Sequence, residues 1–203
     1  MGLREQKWHL ELNTQLSVIS WDKIRKLSAS INYENPIKWL QFQIVRNSLQ
    51  TNAIVSHFIN NVSPECQYCQ TETEVISHLF WHCPIVSQFL NDVFTFVCNT
   101  GLQFRPTKVQ FLFGYLDQTF NTPCNYLALH LKKFIWKTKF KETNTLSMVG
   151  FKNYLKTVLY DLKIIYELKN NSAEFHVWND LLGLLPADND LLPLHHGPRD
   201  VQM

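Results

Sequence analysis

The spacing C-x₂-C-x₈-H-x₄-C, from Cys66 to Cys83, limits what this chain can fold into more than any other feature of it. A C-x-x-C turn presents two sulfurs to one point, and a histidine and a cysteine on the next element can complete the four corners that zinc prefers. Residues 71–77 give the chain room to come back with the second pair. Glu72, Glu74, Val75, Ile76 and Leu79 suit the start of a helix that carries His78 toward the turn.

The fourth ligand has two candidates, His82 and Cys83. His78 and His82 are four apart and share a face of a regular helix, whereas His78 and Cys83, five apart, do not. Pro84, however, disfavours the helical conformation at residue 83, so the helix is expected to end there and free Cys83 to turn inward. With zinc's preference for thiolate, this favours a closed three-cysteine, one-histidine site over a two-cysteine, two-histidine one. A redox C-x-x-C should follow a strand in a βαβ pattern, and no such pattern surrounds this motif.

The segment SPECQYCQTETEVISHLFWHCP resembles the zinc-binding segment near the C-terminus of LINE-type non-LTR retrotransposon reverse transcriptases. The likeness rests on ligand order, an E-T pair before the histidine and the closing HLF-aromatic-x-CP. WLQFQIVRNSLQTNAIVSHF upstream is similar to the helix that family carries before its zinc segment, and LHLKKFIWKTKF downstream to a Lys-rich helix after it. The resemblance extends from Trp8 to about Leu168. It implies one structural zinc on Cys66, Cys69, His78 and Cys83, and a parent protein that binds element RNA and target DNA during target-primed reverse transcription.

With 203 residues, 45% of them hydrophobic and 13% aromatic, the chain is expected to fold around a real core. A net charge of +2 gives no general pull on nucleic acid, so only local clustering can. Three of the five cysteines lie in the one motif, which points to a metal site in a reducing compartment, with Cys98 and Cys124 as small buried side chains. No apolar run reaches membrane-spanning length and no signal-peptide core opens the chain, so an intracellular location is expected, in cytoplasm or nucleus. No Gly-rich loop suited to phosphates is present.

Along the chain, Ser20 can cap a helix bearing Trp21, Ile24 and Leu27, with Trp8 and Trp21 as core residues. Asn35-Pro36 starts another helix, with Ile37, Leu40, Ile44, Val45, Ser48 and Leu49 on one stripe, Gln41 mostly outside it and Arg46 near its edge. A helix after Pro84 ends at Asn99-Thr100-Gly101. VQFLFGYL reads equally as a strand or a buried helix. Pro123 opens a helix with Tyr126, Leu127, Leu131, Phe134 and Ile135 on one side, and Phe151–Leu168 forms another. A short apolar segment, 175–185, should dock on these helices. The expected fold is mainly α, a helical domain with one small inserted zinc knuckle. Its parts are an N-terminal helical segment (1–62), the knuckle (63–84), a C-terminal helical segment with the Lys-rich helix (85–185) and a disordered tail (186–203).

Lys132, Lys133, Lys137, Lys139 and Lys141 make residues 132–141 the most basic window, interleaved with Trp136 and Phe140. They are expected to form two exposed rows beside the helix's apolar stripe, suited to phosphates. Phe80 should be buried and Trp81 partly exposed, available to stack on a base. Paired aspartates for a polymerase and the acidic constellation of an endonuclease are not recognisable, so no enzyme activity is expected. The expected function is a zinc-binding, nucleic-acid-binding module of low specificity, whose partners are RNA, DNA and a polymerase domain lying upstream of Met1. The alternatives are a zinc-stabilised protein-interaction scaffold and a decayed retroelement fragment.

Overall fold

The structure, a computed structural model, describes residues 3–12, 20–30, 35–117, 122–168 and 181. Among them lie eight α-helices, one π-helical turn and no strand. The helices are α1 (Leu3–Leu12), α2 (Trp21–Ala29), α3 (Asn35–Val45), α4 (Asn52–Val55), α5 (Pro84–Cys98), α6 (Lys108–Phe113), α7 (Pro123–Thr138) and α8 (Met148–Leu168). The π-turn, His78–His82, precedes α5. The tail at 186–203 lies outside the described residues. So does the apolar segment before it, except Leu181, which is buried in the core.

Local chemistry explains most of the boundaries. Pro84 and Pro123 stand in the first turns of α5 and α7, where proline's missing N–H costs no hydrogen bond. VQFLFGYL resolves into the helix α6 because Thr107 and Gln110 cap it reciprocally. After α5, Gly101 adopts a φ of +101°, which ends the helix as expected. After α3 it is Asn47, at φ +49°, that turns the chain, while the Ser48 amide bonds back to the Gln43 carbonyl at 2.9 Å.

The centre of the fold is α7. Every residue from Asn125 to Ile135 is buried, so this helix has no solvated face along most of its length. It packs between α3 and α8, and α5 lies on α8 and on the π-turn. Phe89, Phe134 and Phe151 meet where α5, α7 and α8 join, with ring centroids 5.4–5.9 Å apart. Each such pair adds about 0.5–1.5 kcal/mol beyond its buried area. At the other end Trp8, fully buried, packs edge-on against Phe113 at 5.0 Å and donates its indole N–H to the Val45 carbonyl at 3.1 Å. Trp21 joins the same cluster but is only partly buried. Cys98 and Cys124 are also partly buried, rather than enclosed as expected.

Polar groups inside this helix need internal partners, and Lys132 and His130 have them, whereas the buried Thr138 hydroxyl has none among the described residues. Lys132 is 1% exposed and donates to the Gln41 side chain at 2.5 Å and the Leu112 carbonyl at 3.0 Å. Gln41 is therefore a buried residue and not, as the periodicity suggested, an outward one. Its own amide donates to the same Leu112 carbonyl at 2.9 Å. His130 lies 2.7 Å from the Tyr154 hydroxyl, and burial first, then the charge of Lys133, pushes its pKa down to about 3, so it is neutral.

Candidate metal centre and its surroundings

The metal knuckle is a short hairpin followed by a helical turn. Glu65 and Thr73 form an antiparallel bridge, with the Cys66 amide on the Glu72 carbonyl and the Glu74 amide on the Pro64 carbonyl, both at 2.8 Å. At its tip the Gln70 amide closes back on the Cys66 carbonyl at 2.9 Å, and Gln70 takes a φ of +54°. The expected helix start at Glu72 and Glu74 is thus displaced. Both belong to the returning arm of the hairpin, and helix begins only at Ile76.

The five-residue separation of His78 and Cys83 is accommodated by a π-turn. The Cys83 amide bonds to the His78 carbonyl at 2.8 Å, an i→i+5 bond that puts one wide turn between the two ligands. Cys83 itself has ψ 123°, the extended value Pro84 favours in its predecessor, and it forms the N-cap of α5.

Cys66, Cys69, His78 and Cys83 bring one donor atom each to within 4.8 Å of one another. The Cys66 and Cys83 sulfurs are 3.8 Å apart, and the Cys69 sulfur is 3.4 Å from His78 Nε2. Zinc–sulfur bonds at tetrahedral angles require a sulfur–sulfur edge of about 3.8 Å, and the sulfur–nitrogen edge is slightly shorter. The donor set therefore fits one zinc ion and supplies all four corners from protein. His82 is excluded from it. Its side chain is exposed and its Nε2 sits 3.4 Å from the Lys108 ammonium, and burial first, then that charge, lowers its pKa.

Backbone amides around the cluster favour thiolate. Backbone amides of Tyr68 and Cys69 point at the Cys66 sulfur, those of Thr71 and Glu72 at Cys69, and those of Ile85 and Val86, at the start of α5, at Cys83. Without metal the cluster shares protons unequally. The hydrogen bond with Cys83, then burial, raises the Cys66 pKa, while the bond from Cys66 lowers that of Cys83. Burial alone would raise Cys69, but the Thr71 hydroxyl, 3.3 Å away, and the amides outweigh it and the pKa falls. For His78 burial opposes protonation, yet Cys69 and Cys66 together raise its pKa. Glu72 Oε2 lies 3.1 Å from His78 Nδ1, near enough to pair in charge although not aligned as a hydrogen bond.

A second polar centre joins the knuckle to α7. Glu74, fully buried, accepts the amides of Asn52 and Gln67, each at 2.9 Å, and pairs with Lys139. Lys139 also donates to the Asn52 side chain at 2.9 Å. The Tyr68 hydroxyl donates to the Ile135 carbonyl at 2.6 Å, and Asn144 donates to the Gln67 carbonyl at 3.0 Å. The end of α7 is therefore fastened directly to the C-x-x-C turn.

This arrangement corrects the expected pair of exposed lysine rows. Lys132, Lys133 and Lys139 are buried, and only Lys137 and Lys141 of the five are exposed. The reason is that α7 is enclosed by α3 and α8 on both sides, so a lysine off its apolar stripe still points into protein. Phe80 is buried as expected, and Trp81 is partly buried against Phe111 and Phe94, at 5.7 and 6.4 Å. Sequence reasoning missed the Glu74–Lys139 pair and the position of Glu72 beside His78. The acidic pair in T-E-T-E was visible, but nothing local distinguished it from a helix start.

These features define a mainly helical protein with a three-cysteine, one-histidine cluster that could hold a metal ion. Residues 4–89 match the family model described as zinc-binding in reverse transcriptase. Over that stretch the chain is similar to the zinc-binding domain of reverse transcriptases, and its Cys66, Cys69, His78, Cys83 cluster is suited to one zinc. The matched region ends in α5 and leaves out the Lys-rich helix, whereas the resemblance read from sequence ran on to Leu168. No curated protein and no solved structure matches the chain. Among the described residues no helix is long and apolar enough to cross a membrane.

Proposed function

We propose that this protein is a non-catalytic nucleic-acid-binding module of a LINE-type non-LTR retroelement, with zinc in a purely structural role. Four protein ligands leave the metal no open position for water or substrate. The observation that carries the binding reading is the attachment of the end of α7 to the knuckle. There Lys137 and Lys141 are exposed together with Phe140, which is 66% exposed, next to a turn whose Gln67 and Gln70 also face solvent. Cations beside an aromatic edge suit a phosphate backbone of RNA or DNA with little sequence preference. Its partners on this reading are RNA, target DNA and a reverse transcriptase polymerase domain, inside the cell.

The test is a salt titration of labelled RNA and DNA with zinc-loaded protein. Affinity should fall steeply with salt, and Lys137→Glu with Lys141→Glu should weaken binding for all sequences and flatten the slope. The interaction-scaffold reading is favoured by the net charge of +2 and the burial of three of the five lysines. Absence of binding at low salt would give it the lead.

A further inference from the structure

The outer side of α3 is not used by the core. Ile37, Leu40, Gln41 and Ile44 are buried, but Trp39 and Phe42 remain 59% and 39% exposed. The two rings stack on each other, with centroids 5.3 Å apart and planes 18° from parallel. The Arg46 guanidinium continues the series, its central carbon 4.6 Å from the Phe42 centroid. Positions 39, 42 and 46 lie on one stripe of a helix, so indole, phenyl and guanidinium form a ladder along it.

The charge within α3 itself is one-signed, with Glu34 directly before it and Glu65 directly after Pro64. No Asp or Glu occurs between Asn35 and Pro64, while Lys38 and Arg46, both exposed, contribute cations at the two ends of the ladder. Preformed planar faces with flanking cations are what an unpaired base and its phosphates need. A duplex offers no such base face, because its bases are already stacked on one another.

We infer that Trp39, Phe42 and Arg46 form a stacking platform for single-stranded nucleic acid, with bases extending the Trp39–Phe42 stack and Lys38 and Arg46 meeting the backbone. The inference rests on the nucleic-acid reading above and adds a surface on α3 to the one at the end of α7.

Fluorescence anisotropy of the zinc-loaded full chain with labelled oligouridine RNA, oligothymidine DNA and a duplex tests it. Trp39→Ala combined with Phe42→Ala should weaken single-strand binding about 10-fold or more, with the salt slope unchanged. Arg46→Gln should instead lower the slope by about one unit. Trp39→Phe, which keeps a ring, should retain most of the affinity. Zinc content and helicity should not change, since the side chains are exposed. If the parent binds and the double variant binds equally well, the platform is refuted while the reading based on Lys137 and Lys141 stands. If the parent binds nothing at low salt, both fall. If the double variant dissociates an oligomer and leaves binding intact, the ladder is a self-association face and the inference is overturned.

Discussion

The carboxylate of Glu74 and the ammonium of Lys139 pair inside the protein, between the returning arm of the zinc knuckle and the end of α7. Removing either charge leaves the other buried without its counter-charge, which costs about 3–5 kcal/mol. Glu74→Leu and Lys139→Met should each show such a loss in urea unfolding of the zinc-loaded protein. The double variant should lose clearly less than the sum of the two, and simple additivity would show that the pair is not coupled.

Zinc content should follow the ligand set. Cys66→Ser, Cys69→Ser, His78→Ala and Cys83→Ser should each fall below one zinc per chain by elemental analysis, and His82→Ala should keep full loading. Chelation of the parent should also loosen the helices that flank residues 66–83, visible as lost amide protection, because metal-binding energy here is folding energy.

Glu72 tests the shell beyond the ligands. Its carboxylate stands 3.1 Å from His78 Nδ1, near enough to favour the metal-bound imidazole by charge, so Glu72→Gln should lower zinc affinity by about 10-fold or less in competition with a chromophoric chelator. The Glu72 side chain is exposed, so circular dichroism of the loaded variant should match the parent.

Lys132 should make stability depend on alkaline pH. Burial lowers its pKa to about 7, well under the unfolded value of 10.5. Between those limits the unfolded chain binds a proton that the folded one does not, so stability rises with pH from about 7 toward 10.5. Urea midpoints for the parent should climb across that range, and Lys132→Met should flatten the climb. Parallel profiles for the two proteins would show that Lys132 keeps its proton in the fold.

The sequence by itself determined the metal ligands, the mainly helical class and most of the helix boundaries. Those features are local: a C-x-x-C turn and prolines in the first turns of α5 and α7 act over a few residues and read the same in any context. Even the choice of Cys83 over His82 followed from Pro84, although the π-turn that completes it was not visible. Tertiary structure alone decided which charges face water. Helical periodicity describes one buried face, and α7 is enclosed on nearly every side, so its lysines were assigned to solvent while Lys132 found Gln41 and Lys139 found Glu74. Those partners stand 91 and 65 residues away, and no short-range pattern specifies them. A polar or charged group enters an interior only where distant groups meet it, and that meeting is a property of the packed fold.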